Sequence, residues 1–119
     1  MANSLSLRSI LDAKKLTGSN FIDWFRNIKI VLKQEKKAYV LGGPILEEPS
    51  DNATNEEKKA YRVYMDDFNQ ATCVMLASMG LDLQKQHEVM NALDIILNLR
   101  KMFDKESHIG RFNILRELF

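Results

Sequence analysis

The sequence predicts an all-α protein, a compact bundle of about five helices, on three observations. Apolar residues recur at helical spacing over long stretches. Only two prolines and five glycines are present, too few for the many tight turns of a sandwich or barrel. Recognisable start and stop signals then divide the apolar stretches from one another. At 119 residues the chain is one domain's worth, able to bury roughly two-thirds of its unfolded surface. Residues 1–18 are expected to form an N-terminal arm whose order the sequence leaves undecided, and 19–119 the helical domain.

In 1–18, Leu5, Leu7, Ile10, Leu11 and Leu16 fit a short helix or an extended arm, and Thr17-Gly18 breaks either. Ser19 or Asn20 offers an N-cap oxygen to the next helix, with Asp23 favouring the positive end of its dipole. That helix carries Phe21, Trp24, Phe25, Ile28, Val31 and Leu32 on one face, and its opposite face reads as nearly all cationic. Segment 39–53, "YVLGGPILEEPSDNA", reads as a loop with one or two apolar anchors, because Gly42-Gly43-Pro44 and Pro49 break regular structure.

Thr54 and Glu57 form a capping box. The helix it opens is expected to reach Met79, with Tyr61, Met65, Phe68, Thr72, Met75 and Met79 on its buried face and Gly80 as a left-handed stop. Asp82 is the expected cap of a short helix. Leu93, Ile96, Leu97, Arg100 and Phe103 stripe another over about 89–103. A last helix from near 106 places Ile109, Phe112, Leu115, Leu118 and Phe119 on one face. Apolar residues through its final turns raise the expectation that the domain belongs to a longer protein.

Catalytic signals are missing from the sequence. His87 and His108 are 21 residues apart with no cysteine or second histidine at ligand spacing, so no metal is expected. Asp66 and Asp67 are adjacent on a helix and point apart. No phosphate-binding glycine loop or nucleophile elbow is found. The expectation is therefore a non-enzyme without cofactor or small-molecule substrate. Cys73, the single cysteine, excludes an internal disulfide and is expected to be a small buried hydrophobe. The first residues are broken by charges before an apolar core of useful length, no apolar run approaches a membrane span, and Ala2 excludes myristoylation. These readings predict a soluble, intracellular protein.

Charge is distributed unevenly about a net +1. Positions 8 to 37 hold eight basic and three acidic residues, a net +5; positions 47 to 67 hold seven acidic and three basic, a net −4. Arg26, Lys29, Lys33, Lys36 and Lys37 fall on or near one face of the first strong helix. That face is either a solvated polar surface or one half of a contact between copies, with Glu47, Glu48, Glu56 and Glu57 as the other half. Heterologous contacts of this kind build rings or open lattices. RNA contact by the lysine face is weakened by the placement of the aromatic residues on the core side.

The run "LRSILDAKKLTGSNFIDWFRNIKIVLKQEKKAYVL" resembles the start of Gag polyproteins from plant copia-type LTR retrotransposons, in its Leu16, Gly18, Asn20 and Phe21 followed by Trp24 and a basic amphipathic helix. The likeness continues through "DNATNEEKKAY", "CVMLASMGLDLQKQHE" and "LRKMFDKESHIGRFNILRELF". It implies the N-terminal lobe of a capsid protein that self-associates through Gag–Gag contacts into cytoplasmic virus-like particles enclosing the element's RNA. The family's second lobe and RNA-binding Cys/His knuckle are not in this sequence, so any RNA contact of this chain is expected to be indirect or weak. A second functional reading remains open: a host-retained protein-binding module with a groove lined by Met65, Met75 and their neighbours.

Overall fold

The computed structural model describes residues 2–43 and 45–103, and these form an all-α bundle. Its elements are α1 (Ala2–Ala13), α2 (Phe21–Gln34), α3 (Tyr39–Gly42), α4 (Asn55–Ala77), α5 (Leu81–His87) and α6 (92–103, to the end of the described residues). No strand occurs among the described residues; one isolated parallel bridge joins Leu16 to Met79.

The two possibilities for the N-terminal segment resolve to a helix. Leu11 is buried and Leu7 packs at the core's edge, so α1 has an apolar side to lay against α2. An ion pair fixes its middle to the end of α2: Arg8 grips the Glu35 carboxylate with two nitrogens, Nη2 lying 2.6 Å from Oε1.

Between α1 and α2 lies a joint built from Leu16, Gly18, Asn20 and Trp24. Leu16 is fully buried; its N–H donates to Ser78 O at 2.9 Å and its carbonyl accepts from Gly80 N–H at 2.8 Å. Gly18 has φ +130°, a conformation side chains rarely adopt, and a Cβ there would lie 3.3 Å from the Phe103 ring. Asn20 occupies the N-cap position of α2, but its side chain does not cap the helix as expected. It turns back instead, accepting from Thr17 N–H at 2.9 Å and donating to Lys15 O at 2.9 Å. Trp24, 1% exposed, donates from Nε1 to both Ser78 O and Ser78 Oγ at 3.1 and 3.0 Å. The joint thus ties the start of α2 to the turn after α4, fifty-four residues away.

Helix α2 buries Phe21, Trp24, Ile28, Val31 and Leu32, as its period predicts, while Phe25 is half-buried at the edge. It ends in a Schellman motif: Lys36 N–H reaches Lys33 O at 3.1 Å and Lys37 N–H reaches Leu32 O at 2.8 Å. The left-handed position is filled by Lys36, φ +62°, where glycine is usual.

The expected loop contains one helical turn, α3, because Val40 finds a buried site. Its neighbour Tyr39 donates its hydroxyl to Asp67 on α4. The apolar anchors are Val40 and Leu41; Ile45 and Leu46, which the loop also offered, are 66% and 44% exposed.

Thr54 caps α4 as predicted, accepting from Glu57 N–H and donating to Glu57 Oε1, each at 3.1 Å. The buried face is turned toward Tyr64 and Ala71, with Phe68 and Met75 shared between prediction and structure; Tyr61 and Met65 are partly buried flanks rather than core anchors. Small Ala71 allows close approach, a role that a search for large apolar residues overlooks. Cys73 is exposed, contrary to expectation, because it lies off this face. Helix α4 ends at Ala77, and Gly80 is not a left-handed stop: with φ −60° it is the N-cap of α5, so Asp82 falls inside that helix's first turn. Gly80 is needed for closeness, since a Cβ there would meet Leu16 O at 3.1 Å.

Helix α6 starts after Asn91, whose Oδ1 accepts from Asp94 N–H at 2.9 Å. Ala92, Ile95, Ile96 and Leu99 are buried; Leu93 and Phe103 are partly buried, Leu97 is 59% exposed and Arg100 is exposed. The expected Leu93–Leu97–Arg100 stripe is a flank, because the run "ALDIILNL" holds apolar residues on more than one helical face. His87, fully buried under α6, is held by Leu83 O on Nδ1 at 2.7 Å and by Asn98 Nδ2 on Nε2 at 2.8 Å. With the amide as donor, the proton sits on Nδ1. Thr72 Oγ1 closes the core by accepting from Ala92 N–H at 3.0 Å. The predicted final helix, with Phe112 and Leu115, lies outside the described residues.

Candidate interaction surface

The outward side of α2 is where the sequence-predicted basic residues gather. Arg26, Lys29 and Lys33 are exposed on it. Two apolar side chains share that side, Ile22 at 51% and Ile30 at 47% exposure. Positions 22, 26, 29, 30 and 33 follow the helical repeat opposite Trp24, Ile28 and Val31. The face is therefore not the nearly uniform cationic surface expected from the sequence. It is an apolar pair set among cations.

The cations are not all equally free. Arg26 pairs with Asp23 at 3.1 Å, both exposed to water. Lys29 Nζ lies 4.8 Å from the centre of the Phe25 ring, and the Arg100 guanidinium 5.8 Å from the same ring. Phe25 in turn stacks on Phe21, at 5.9 Å and 4°. Lys36 and Lys37 fall beyond the last turn of α2 and so leave the helical face on which they were placed. Lys36 still borders the surface: with Leu7, Ile30, Lys33 and Gln34 it lines a shallow hollow of about 490 Å³ between α1 and α2. Lys37 instead approaches Glu35 at 3.9 Å. The Arg8 hydrogen bonds hold the Glu35 carboxyl below the usual carboxylate range, against burial, which pushes it up.

The acidic residues occupy a separate place. Glu47, Glu48, Glu56 and Glu57 are exposed, beside the exposed Ile45 and Leu46. Glu57 is committed to the α4 cap, which leaves Glu47, Glu48 and Glu56 as the outward carboxylates of the predicted set. Among the described residues no ion pair joins these carboxylates to the α2 cations of the same copy. Neither charged surface is therefore neutralised by an ion pair with the other within one molecule, among the described residues.

A larger open hollow of about 770 Å³ lies between the end of α1 and the start of α2, with Lys14, Lys15, Asn20, Asp23, Arg26 and Asn27 in its wall. Asp12 and Asp23 share the wall with these cations, and it holds no histidine, cysteine or serine. No group of three or more histidine, cysteine or acidic side chains is placed to hold a metal ion among the described residues. Nor is any helix among them long and apolar enough to cross a membrane. Buried side-chain nitrogen and oxygen atoms of the described residues all have hydrogen-bond partners, so none is left aimed at a ligand.

Sequence reasoning overlooked Ile22, Ile30, Ile45 and Leu46. The signal was present: 22 and 30 fall outside the core period of α2, and 45–46 fall between two breakers. Comparison of the chain with family models, curated proteins and solved structures gives no match.

Proposed function

We propose that this chain is a structural, self-associating domain, the N-terminal capsid lobe of a Gag-type protein, that builds virus-like particles in the cytoplasm around the element's RNA. The observation that carries the reading is the outward face of α2, where Ile22 and Ile30 stand half-exposed among Arg26, Lys29 and Lys33. Ile22 and Ile30 lie two helical turns apart with Arg26 between them, so apolar and cationic side chains interleave along the face, a mixture that protein contacts also use. Covering the exposed half of each isoleucine would contribute about 1 kcal/mol, so a single contact is weak. Repetition in a lattice multiplies such contacts, and the near-neutral net charge keeps like copies from repelling strongly.

The capsid part of the reading rests on the resemblance, and the positions that carry it have a structural role that fits. Leu16, Gly18, Asn20 and Trp24 form the joint that fastens α2 to the turn after α4, so the motif secures the position of the proposed contact face. RNA contact by this lobe is indirect or weak in this reading, since Phe21 and Trp24 are buried and unavailable for stacking on bases.

The alternative of a host-retained module with a methionine-lined groove draws less support. Met75 and Met79 are buried in the core and Met65 is half-buried against it. Light scattering after size exclusion, over a hundredfold range of concentration, tests the proposal. Mass that grows with concentration supports a self-associating domain, whereas a strict monomer throughout counts against it.

A further inference from the structure

The two charged surfaces are complementary in more than sign. The α2 stretch from 26 to 33 holds three basic residues and no acidic one, flanked by Ile22 and Ile30 on the outward side. The stretch from 47 to 57 holds five acidic residues and no basic one, and is preceded by the exposed Ile45 and Leu46. Each surface therefore carries two exposed apolar side chains and a block of one charge: adjacent residues in segment 45–48, and two isoleucines spaced two turns apart on either side of Arg26 on α2. Segment 45–50 is irregular, without helix or strand hydrogen bonding of its own, so its apolar pair can be presented to a helix face.

We infer that segment 45–48 of one copy docks on the outward face of α2 of the next, in a head-to-tail contact. Ile45 and Leu46 meet Ile22 and Ile30, while Glu47 and Glu48 meet Arg26 and Lys33. The occupant is a second copy of this chain because the matching charge and apolar content are both present in the sequence and are unpaired with each other inside one molecule. A contact between two different surfaces leaves one of each free at the ends, so it extends into a ring or an open array rather than stopping at a dimer. This inference rests on the self-association proposed above and specifies its geometry.

A charge-swap mixing experiment tests it separately from that reading. One variant carries Arg26→Glu and Lys33→Glu, the other Glu47→Lys and Glu48→Lys; all four positions are exposed, and circular dichroism checks that each variant stays folded. At low salt each variant alone faces like with like, and its self-association should weaken at least tenfold. Mixed in equal amounts, the acidic α2 face meets the basic segment and the unaltered basic face meets the unaltered acidic segment. Association should then return to near the unmixed wild-type level, and 0.5 M salt should shrink both effects. Wild-type association by the Glu47→Lys/Glu48→Lys variant alone would overturn the head-to-tail contact while leaving self-association standing. So would failure of the mixture to recover. A wild-type chain that stays monomeric in the same experiment would overturn both.

Discussion

Replacing Trp24 by alanine tests whether the joint holds the bundle together. Trp24 is 1% exposed, touches Phe21 at 6.3 Å between ring centres, and spends its only polar hydrogen on Ser78. A tryptophan buries roughly 150–250 Å², and truncating a large buried aromatic residue costs about 3–5 kcal/mol. Loss of the Nε1–H bond adds about 1 kcal/mol, because Ser78 O keeps only its bond to Leu16 N–H. The sum approaches the whole stability of a typical domain, about 5–15 kcal/mol. Urea titration followed by circular dichroism is the suitable assay, since the variant lacks the only tryptophan and with it the fluorescence signal. The expected result is a midpoint at much lower urea, with a thermal melt by the same signal lowered by about 15–25 °C, or a chain unfolded at room temperature. Trp24→Phe should retain most of the packing and lose about 1–2 kcal/mol. An alanine variant that melts within a few degrees of wild type would refute the assignment of Trp24 as the structural link.

Three further outcomes follow from particular contacts. Lys36→Gly should stabilise the domain by about 0.5–1 kcal/mol in the same titration, because glycine relieves the positive φ that ends α2. Gly18→Ala should destabilise by about 1–3 kcal/mol, since the new Cβ meets both a disfavoured backbone and the Phe103 ring; an unchanged midpoint would mean the joint is slack. Two groups contribute to the pH dependence of stability. The lowered Glu35 value gives stability present above about 4.5 and lost as pH falls through the folded value, so Glu35→Gln should flatten the acid limb of a stability–pH curve. Tyr39 is pushed up to about 12 by its bond to Asp67, with burial adding to the effect; its contribution is complete below about 10 and lost as pH rises through 12, and Tyr39→Phe should flatten that alkaline limb.

The sequence announces helices more clearly than it announces their rotation. Helix α2 has one wide apolar stripe and only one way to bury it, so Phe21, Trp24 and Ile28 were legible. Helix α6 offers Leu93, Ile95, Ile96, Leu97 and Leu99, and periodicity alone cannot choose among overlapping stripes. Tertiary fit chose Ala92, Ile95 and Leu99, with the Thr72–Ala92 bond fixing where the helix begins. In α4 the decisive residue was Ala71, whose small size matters only once another element lies against it. Gly80 carried a chemically sound signal with the wrong cause: it is required for approach to Leu16 O, which no local pattern reveals. The role of Asn20 was hidden for a related reason, since a cap residue and a loop staple use the same side chain.

For the surface, charge sign was readable from the chain because charged blocks are contiguous in sequence. The placement of Lys36 and Lys37 was not, because the Schellman motif turns the chain within two residues and needs no glycine here. Ile22 and Ile30 were hidden because the outward side of α2 is dominated by charged residues and reads as cationic. Their exposure, together with the lysines, is what the proposed contact rests on.

The most direct measurement of the central claim is the weight-average mass of Ile22→Ser/Ile30→Ser beside wild type, at equal concentration and low salt. Both positions are half-exposed, so the substitutions leave the core intact and the melting temperatures should agree within a few degrees. The account predicts that wild type grows in mass with concentration while the variant remains a monomer. Equal growth in the two proteins would contradict it, placing self-association on some other surface.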